Sequence, residues 1–165
     1  MADAVLISLF QHKAWSNQRM IEALRAAPGD VDRRQFAVLL LTFEHTSIVD
    51  RIFKAHLTGQ QHDFPSVVSG WLPDLDALSA IMAETDHWYL DYVSGVSQDE
   101  LNTPVAFTFL DGDEGLMTKA EMLAHIISHG AAHRGQVGKM LEALSIAGPA
   151  DMVTTLVSHR RASGD

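Results

Sequence analysis

Four stretches of roughly twenty to thirty residues carry apolar side chains every three or four positions, each stretch closed by glycine or proline, and this punctuation leaves few ways to fold. The first runs from about Asp3 to Ala27 through Val5, Leu6, Leu9, Phe10, Ala14, Met20, Ile21 and Leu24, and stops at Pro28-Gly29. Asp32 is placed to cap a second helix over Arg33 to Leu57, with Gly59 at its end. A third begins near Pro73, a good first-turn residue, and reaches Ser94 before Gly95. Thr118 and Glu121 form a T-x-x-E capping box for the last helix, predicted to end at Ala147 before Gly148-Pro149.

The link between the first two helices is short, which predicts antiparallel neighbours, whereas the links at Thr58 to Leu72 and Gly95 to Met117 are long enough for crossovers. In the second long link, Val105 to Leu110 and Leu116-Met117 flank Asp111-Gly112-Asp113-Glu114-Gly115, the pattern of a small β-hairpin. The fold class predicted is all-α, a four-helix bundle with long inter-helix connections and a small β-hairpin before the last helix. Residues 1–157 form a single domain in this expectation, and residues 158–165 a polar C-terminal tail.

With 47% hydrophobic and 20% charged residues in 165, the composition is that of one globular domain. Twelve Lys and Arg against 21 Asp and Glu give a net charge of -9, which repels phosphate backbones and anionic lipid, so neither nucleic acid nor membrane is an expected partner. Met1 to Ser8 lack the basic start of a secretory signal, and no run approaches the ~20 apolar residues of a membrane span. The expectation is a soluble cytoplasmic protein. The absence of Cys excludes a disulfide scaffold, a thiolate nucleophile, iron–sulfur clusters and Cys-type zinc sites. Nine His, nearly as many as the permanent cations, stand out against this background.

These histidines separate by face and by level. At 100° per residue the inward stripe of the last helix is set by Met122, Ile126, Val137, Met140 and Leu144. His133 falls inside it, His129 lies one turn earlier on its near side, and His125 drifts to its edge. On the second helix His45 points along the stripe of Leu41, Ile48, Val49 and Ile52. A metal with bonds of about 2.1 Å gathers ligands only from one height in a bundle. His45 is midway along its helix, and the midpoint of Thr118 to Ala147 lies between Ala132 and His133, so His45, His129 and His133 share a level. His56 points near the same face as His45 but about 16 Å further along. An i, i+4 His pair with a third His from a facing helix makes a three-nitrogen set with positions left open for water or substrate. The alternative is a group of boundary histidines, each hydrogen-bonded to a carbonyl.

The run His125-Ile126-Ile127-Ser128-His129-Gly130-Ala131-Ala132-His133-Arg134-Gly135-Gln136 resembles the H-x3-H-x3-HRGQ signature of the DinB superfamily of bundle metalloproteins. Phe43-Glu44-His45 followed by Val49-Asp50-Arg51-Ile52-Phe53, the Trp15-Ser16-Asn17 run and the hairpin entering the last helix extend the resemblance over most of the chain. It implies His45, His129 and His133 as ligands of a divalent metal, and a homodimer of such bundles. The family includes thiol-dependent transferases and isomerases, and its name records induction by DNA damage rather than DNA binding, in keeping with the charge of -9.

Around these positions, Gln136 lies near the His129 side and is a candidate donor behind the ligands, whereas Arg134 points away and suits a structural or interface role. Gly130, Gly135 and Gly138 suit close approach of another helix. Asp50 is placed off the inward face as a solvated or ion-paired carboxylate. Trp15, Trp88, Tyr89 and Tyr92 suit core or interface; His12, His62, His87 and His159 are expected on the surface, with His87 the strongest exception.

The function expected is that of a divalent-metal-binding protein acting as a metal-dependent enzyme, transferase-like with a low-molecular-weight thiol or hydrolase-like, on a small-molecule substrate. Three nitrogens suit Zn, Ni or Fe/Mn. Without Cys, any thiol comes from outside the chain. No acid or base residue is assigned. The alternative is a non-enzymatic, stress-related binding module with a structural metal.

Overall fold

The computed structural model describes residues 3–163; Met1, Ala2 and the last two residues of the expected tail lie outside them. Each long helix starts where a short polar side chain accepts a hydrogen bond from an otherwise unpaired N–H. Asp3 caps α1 (Ala4–Arg25), Asp32 caps α2 (Arg33–Thr58), Asp74 caps α3 (Leu75–Gly95), and Thr118 with Glu121 closes a capping box on α5 (Lys119–Ala143). Between α3 and α5 lie a single-turn helix, α4 (Gln98–Leu101), and the antiparallel strands β1 (Pro104–Thr108) and β2 (Glu114–Thr118). A last helix, α6, spans Val153–Ser163.

The hairpin forms where expected, with Glu114 and Gly115 inside the second strand rather than in the turn. Gly115 stands opposite Phe107, and a Cβ there would fall 2.5 Å from the phenyl ring. The ring therefore lies flat across the strand pair and is buried.

Two apolar clusters fill the bundle. At the hairpin end Phe10, Val49, Phe53, Tyr89, Val93, Phe107 and Ile126 pack together. At the opposite end Met20, Leu24, Leu39, Phe43, Leu78, Met82, Val137 and Leu141 do so. The order in which each helix visits the clusters sets its direction: α1 and α5 run away from the hairpin end, α2 and α3 toward it. The parallel pair α2 and α3 needs a long return, and residues 59–74 supply it.

Three expectations are corrected. First, α1 packs on α3 and α5, and α2 on α5 and α3, so α1 and α2 are antiparallel but diagonal rather than neighbours. Their link of seven residues (26–32) reaches roughly 23 Å when extended, more than the roughly 12–14 Å across such a bundle, so shortness did not force adjacency. Second, α5 ends at Ala143 instead of Ala147. Ser145 takes a left-handed φ of 60°, and the N–H groups of Ser145 and Ile146 bond back to the carbonyls of Glu142 and Leu141, a Schellman end built on serine. That turn places Ile146 on the lower apolar cluster and Gly148 against Gly138. Third, residues 158–163 of the expected tail belong to α6, which docks through Leu156, 4% exposed, an Arg160–Gln11 hydrogen bond of 2.9 Å and the His159 ring on Trp15.

Between the two clusters lies a polar waist. Lys13, Ser16 and Asn17 enter it from α1, His45 and Asp50 from α2, Asp86 from α3, and His129, His133 and Arg134 from α5. Among the described residues no helix is long and apolar enough to cross a membrane.

Candidate metal centre

His129 and His133 stand one turn apart on α5, whose centre is Ala131, and α2 brings His45 across to them. Each of the three offers one ring nitrogen, and these nitrogens lie within 4.8 Å of one another. All three residues are half-buried. His45 Nε2 and His129 Nε2 are 3.1 Å apart, against about 3.4 Å for two nitrogens bonded at about 2.1 Å to one tetrahedral ion. The ring of His133 lies 4.4 Å from that of His129 and 4.8 Å from that of His45, centroid to centroid.

The far nitrogens decide what the near ones can do. His45 Nδ1 donates to the Val67 carbonyl at 3.0 Å, and His133 Nδ1 donates to Gln136 Oε1 at 2.7 Å. A neutral imidazole that donates from Nδ1 keeps a bare lone pair on Nε2, the form that binds a metal. Gln136 thus holds His133, as an acceptor, and not the His129 side as a donor. His129 Nδ1 is buried without a partner among the described residues. His45 and His133 each meet a carbonyl oxygen, that of Val67 and that of the Gln136 side chain, but among the described residues His129 Nδ1 meets none, so the group does not match histidines each satisfied by a carbonyl. The chemistry of this donor set fits a divalent ion.

Electrostatics favour the same state. Burial, then the neighbouring His133, His45 and His125 and the Lys13 ammonium, push His129 down to about 3, and burial lowers His133. Both remain neutral at physiological pH. The loop over His45 is pinned as well: Ser69 Oγ donates to Glu44 Oε2 at 2.9 Å, two residues from the carbonyl that orients His45.

Behind the imidazoles the waist holds a buried ionic network. Lys13 Nζ meets Asp50 Oδ2 at 2.6 Å and Asp86 Oδ1 at 2.5 Å. Asn17 donates to Asp86 Oδ2 at 2.8 Å and accepts from Arg134, whose Nε donates to Asp151 at 2.8 Å. Arg134 takes the structural part expected of it, but from a buried position in the waist rather than by pointing away. Asp50 is ion-paired as expected but buried rather than off the inward face, because α2 is covered by both α5 and α3. Lys13 went unread although Phe10, Lys13, Asn17, Met20 and Leu24 recur at helical spacing, which puts the ammonium on the buried face of α1. His12 is also buried, near Ser16 and Asp151. Both of these contacts are to its Nε2, at 3.2 Å each, so the three do not form a nucleophile relay, which needs both ring nitrogens.

The remaining histidines divide. His87 is exposed beside Asp91, at 3.4 Å. His62 leaves the surface to meet His56, with ring centroids 5.3 Å apart, and His125 stacks on Phe53. Tyr89 is core, its hydroxyl donating to the Asp50 carbonyl at 2.7 Å. Of the three glycines in α5, Gly130 faces Lys13 and Arg134 and Gly138 touches Gly148, while Gly135 has open space.

The sequence profile described as the DinB family matches residues 1–158. A crystal structure of a DinB-like protein from Bacillus cereus ATCC 10987 is similar in fold, with a TM-score of 0.63 and 16% identity over 88% of this chain and 94% of that one. No curated protein matches.

Proposed function

The chain belongs to the DinB family, and on that premise we propose that it is a metal-dependent enzyme whose divalent ion is held by His45, His129 and His133. One observation carries this reading: three ring nitrogens converge within 4.8 Å, while the far nitrogens of His45 and His133 are tied to fixed acceptors. An ion there supplies Lewis acidity, lowering the pKa of a bound water or thiol toward neutrality. Val67 and Gln136 keep His45 and His133 in the binding tautomer, and burial disfavours the cationic form of His129. The apolar clusters on either side and the Lys13 network already tie the helices together, which favours a catalytic over a structural ion. The reading includes a homodimer in solution, checked by light scattering, and an external thiol as cosubstrate, the chain having no Cys.

Elemental analysis of untagged protein tests the site. Near one equivalent of a divalent metal is expected in the wild type, and little in His45→Ala and His133→Ala. Substoichiometric metal in the wild type refutes the proposal. Thermal melts with chelator separate the roles: a catalytic ion leaves the melting temperature nearly unchanged, and a large drop marks a structural one.

A further inference from the structure

A cavity of about 520 Å³ opens against His129, within the roughly 300–1,000 Å³ range of small-molecule sites. Its apolar wall is aromatic. The Phe53 and Phe107 rings lie 6.0 Å apart, and Phe109 adds an edge-on contact to Phe107 at 4.8 Å. His125 stacks on Phe53 at 4.7 Å and on His129 at 5.4 Å, so a continuous run of ring faces leads from the wall to the candidate metal centre. The opposite wall is the segment Pro65 to Val67, whose last carbonyl orients His45. At the mouth Phe109 is 45% and Leu110 40% exposed, apolar groups held toward water by the hairpin.

The polar groups of the cavity narrow its guest further. His56 and His62, with ring centroids 5.3 Å apart, add imidazole faces to the lining. Among the described residues no Lys or Arg lines the space, and Asp111 is its one ionic group. The cations nearest in sequence, Arg51 and Lys54, lie over the rings of Phe64 and Trp88 instead. An anionic guest finds no Lys or Arg among the described lining residues and passes Asp111, in a chain of net charge -9; its one partner would be the ion proposed at His129. A cationic guest would face the ion proposed at His129.

We propose that this cavity is the substrate site and takes an uncharged aromatic small molecule, its ring among Phe53, Phe107 and His125. As a substrate assignment this rests on the metal-dependent reading above; as a binding site it does not.

Calorimetric titration of naphthol, naphthoate and naphthylmethylamine near neutral pH tests the assignment, using wild-type protein and His133→Ala, a residue that neither lines the cavity nor bonds to its wall. Naphthol should bind at least about tenfold tighter than either charged homologue in both proteins. Leu110→Lys, at the exposed rim, should cut the preference for naphthol over naphthoate several-fold. A charged homologue that matches naphthol in either protein, or a preference unmoved by Leu110→Lys, overturns the proposal. Metal content of the same samples separates the two readings: naphthol preference without metal in the wild type sinks only the ion, and metal without naphthol preference sinks only the cavity assignment.

Discussion

Lys13→Met removes the charge at the centre of the waist while keeping most of the side chain's bulk. The side chain is 2% exposed, and its ammonium contacts Asp50 and Asp86 at 2.6 and 2.5 Å. Asp86 would keep its hydrogen bond from Asn17, but Asp50, whose Oδ1 already lacks a partner, would lose its ion pair. Removing one member of a buried ion pair costs about 3–5 kcal/mol, which at roughly 2–4 °C per kcal/mol for a domain of this size lowers the melting temperature by roughly 10 °C. The loss has a pH signature. Burial already pushes the Asp50 carboxyl up to about 6 from 3.8, against the pull of Lys13, and without the ammonium it rises further. A carboxyl raised by folding contributes stability that is present below its unfolded value and is lost as pH rises through its folded value. Wild type and variant lose that contribution together up to about pH 6, and above it the variant alone continues to lose up to about 1.4 kcal/mol per pH unit. Scanning calorimetry on both sides of pH 6 should show the gap between the two proteins widening with pH, and adding Asp50→Asn to Lys13→Met should close much of it. A melting loss under about 2 °C, or a gap that ignores pH, would refute the account.

Two further outcomes follow from single contacts. Gln136→Leu takes the acceptor from His133 Nδ1 at an exposed position, so zinc affinity measured by chelator competition should fall roughly 10- to 100-fold with little change in melting temperature; unchanged affinity would show that Gln136 does not orient the ligand. Thr118→Ala removes the hydroxyl that accepts from the Glu121 N–H and should cost about 1 kcal/mol near neutral pH. Glu121 is held below its ordinary value by the N–H and hydroxyl of Thr118, so the stability this cap contributes is present above 4.5 and fades as pH falls through the lowered value; the variant should therefore unfold with a flatter acid dependence than the wild type.

The candidate centre was legible because it obeys two periodicities at once. Helical spacing aligned His129 with His133, and equal distance from the helix ends put His45 at their height. Moving the end of α5 back to Ala143 left that height unchanged, because both histidines flank the centre under either boundary. What escaped was charge placed on a buried face, together with segments too short, or too dependent on distant partners, to show a period. Asp50 lies on a second buried face of α2 that carries polar groups, and Lys13 reads as a solvated cation unless Asp50 and Asp86 are known to face it. The Ser97–Glu100 box that caps α4 was visible as S-x-x-E, but its helix is too short to show a period. The docking of α6 depends on Leu156 and on partners in α1 that only the folded chain brings near.

Each end of the bundle closes over its own apolar cluster, and the polar groups are confined to the layer between. Exchanging an imidazole in that layer for another polar side chain empties neither cluster. A scaffold built this way keeps the side chains that hold its helices together apart from the three imidazoles that could hold an ion.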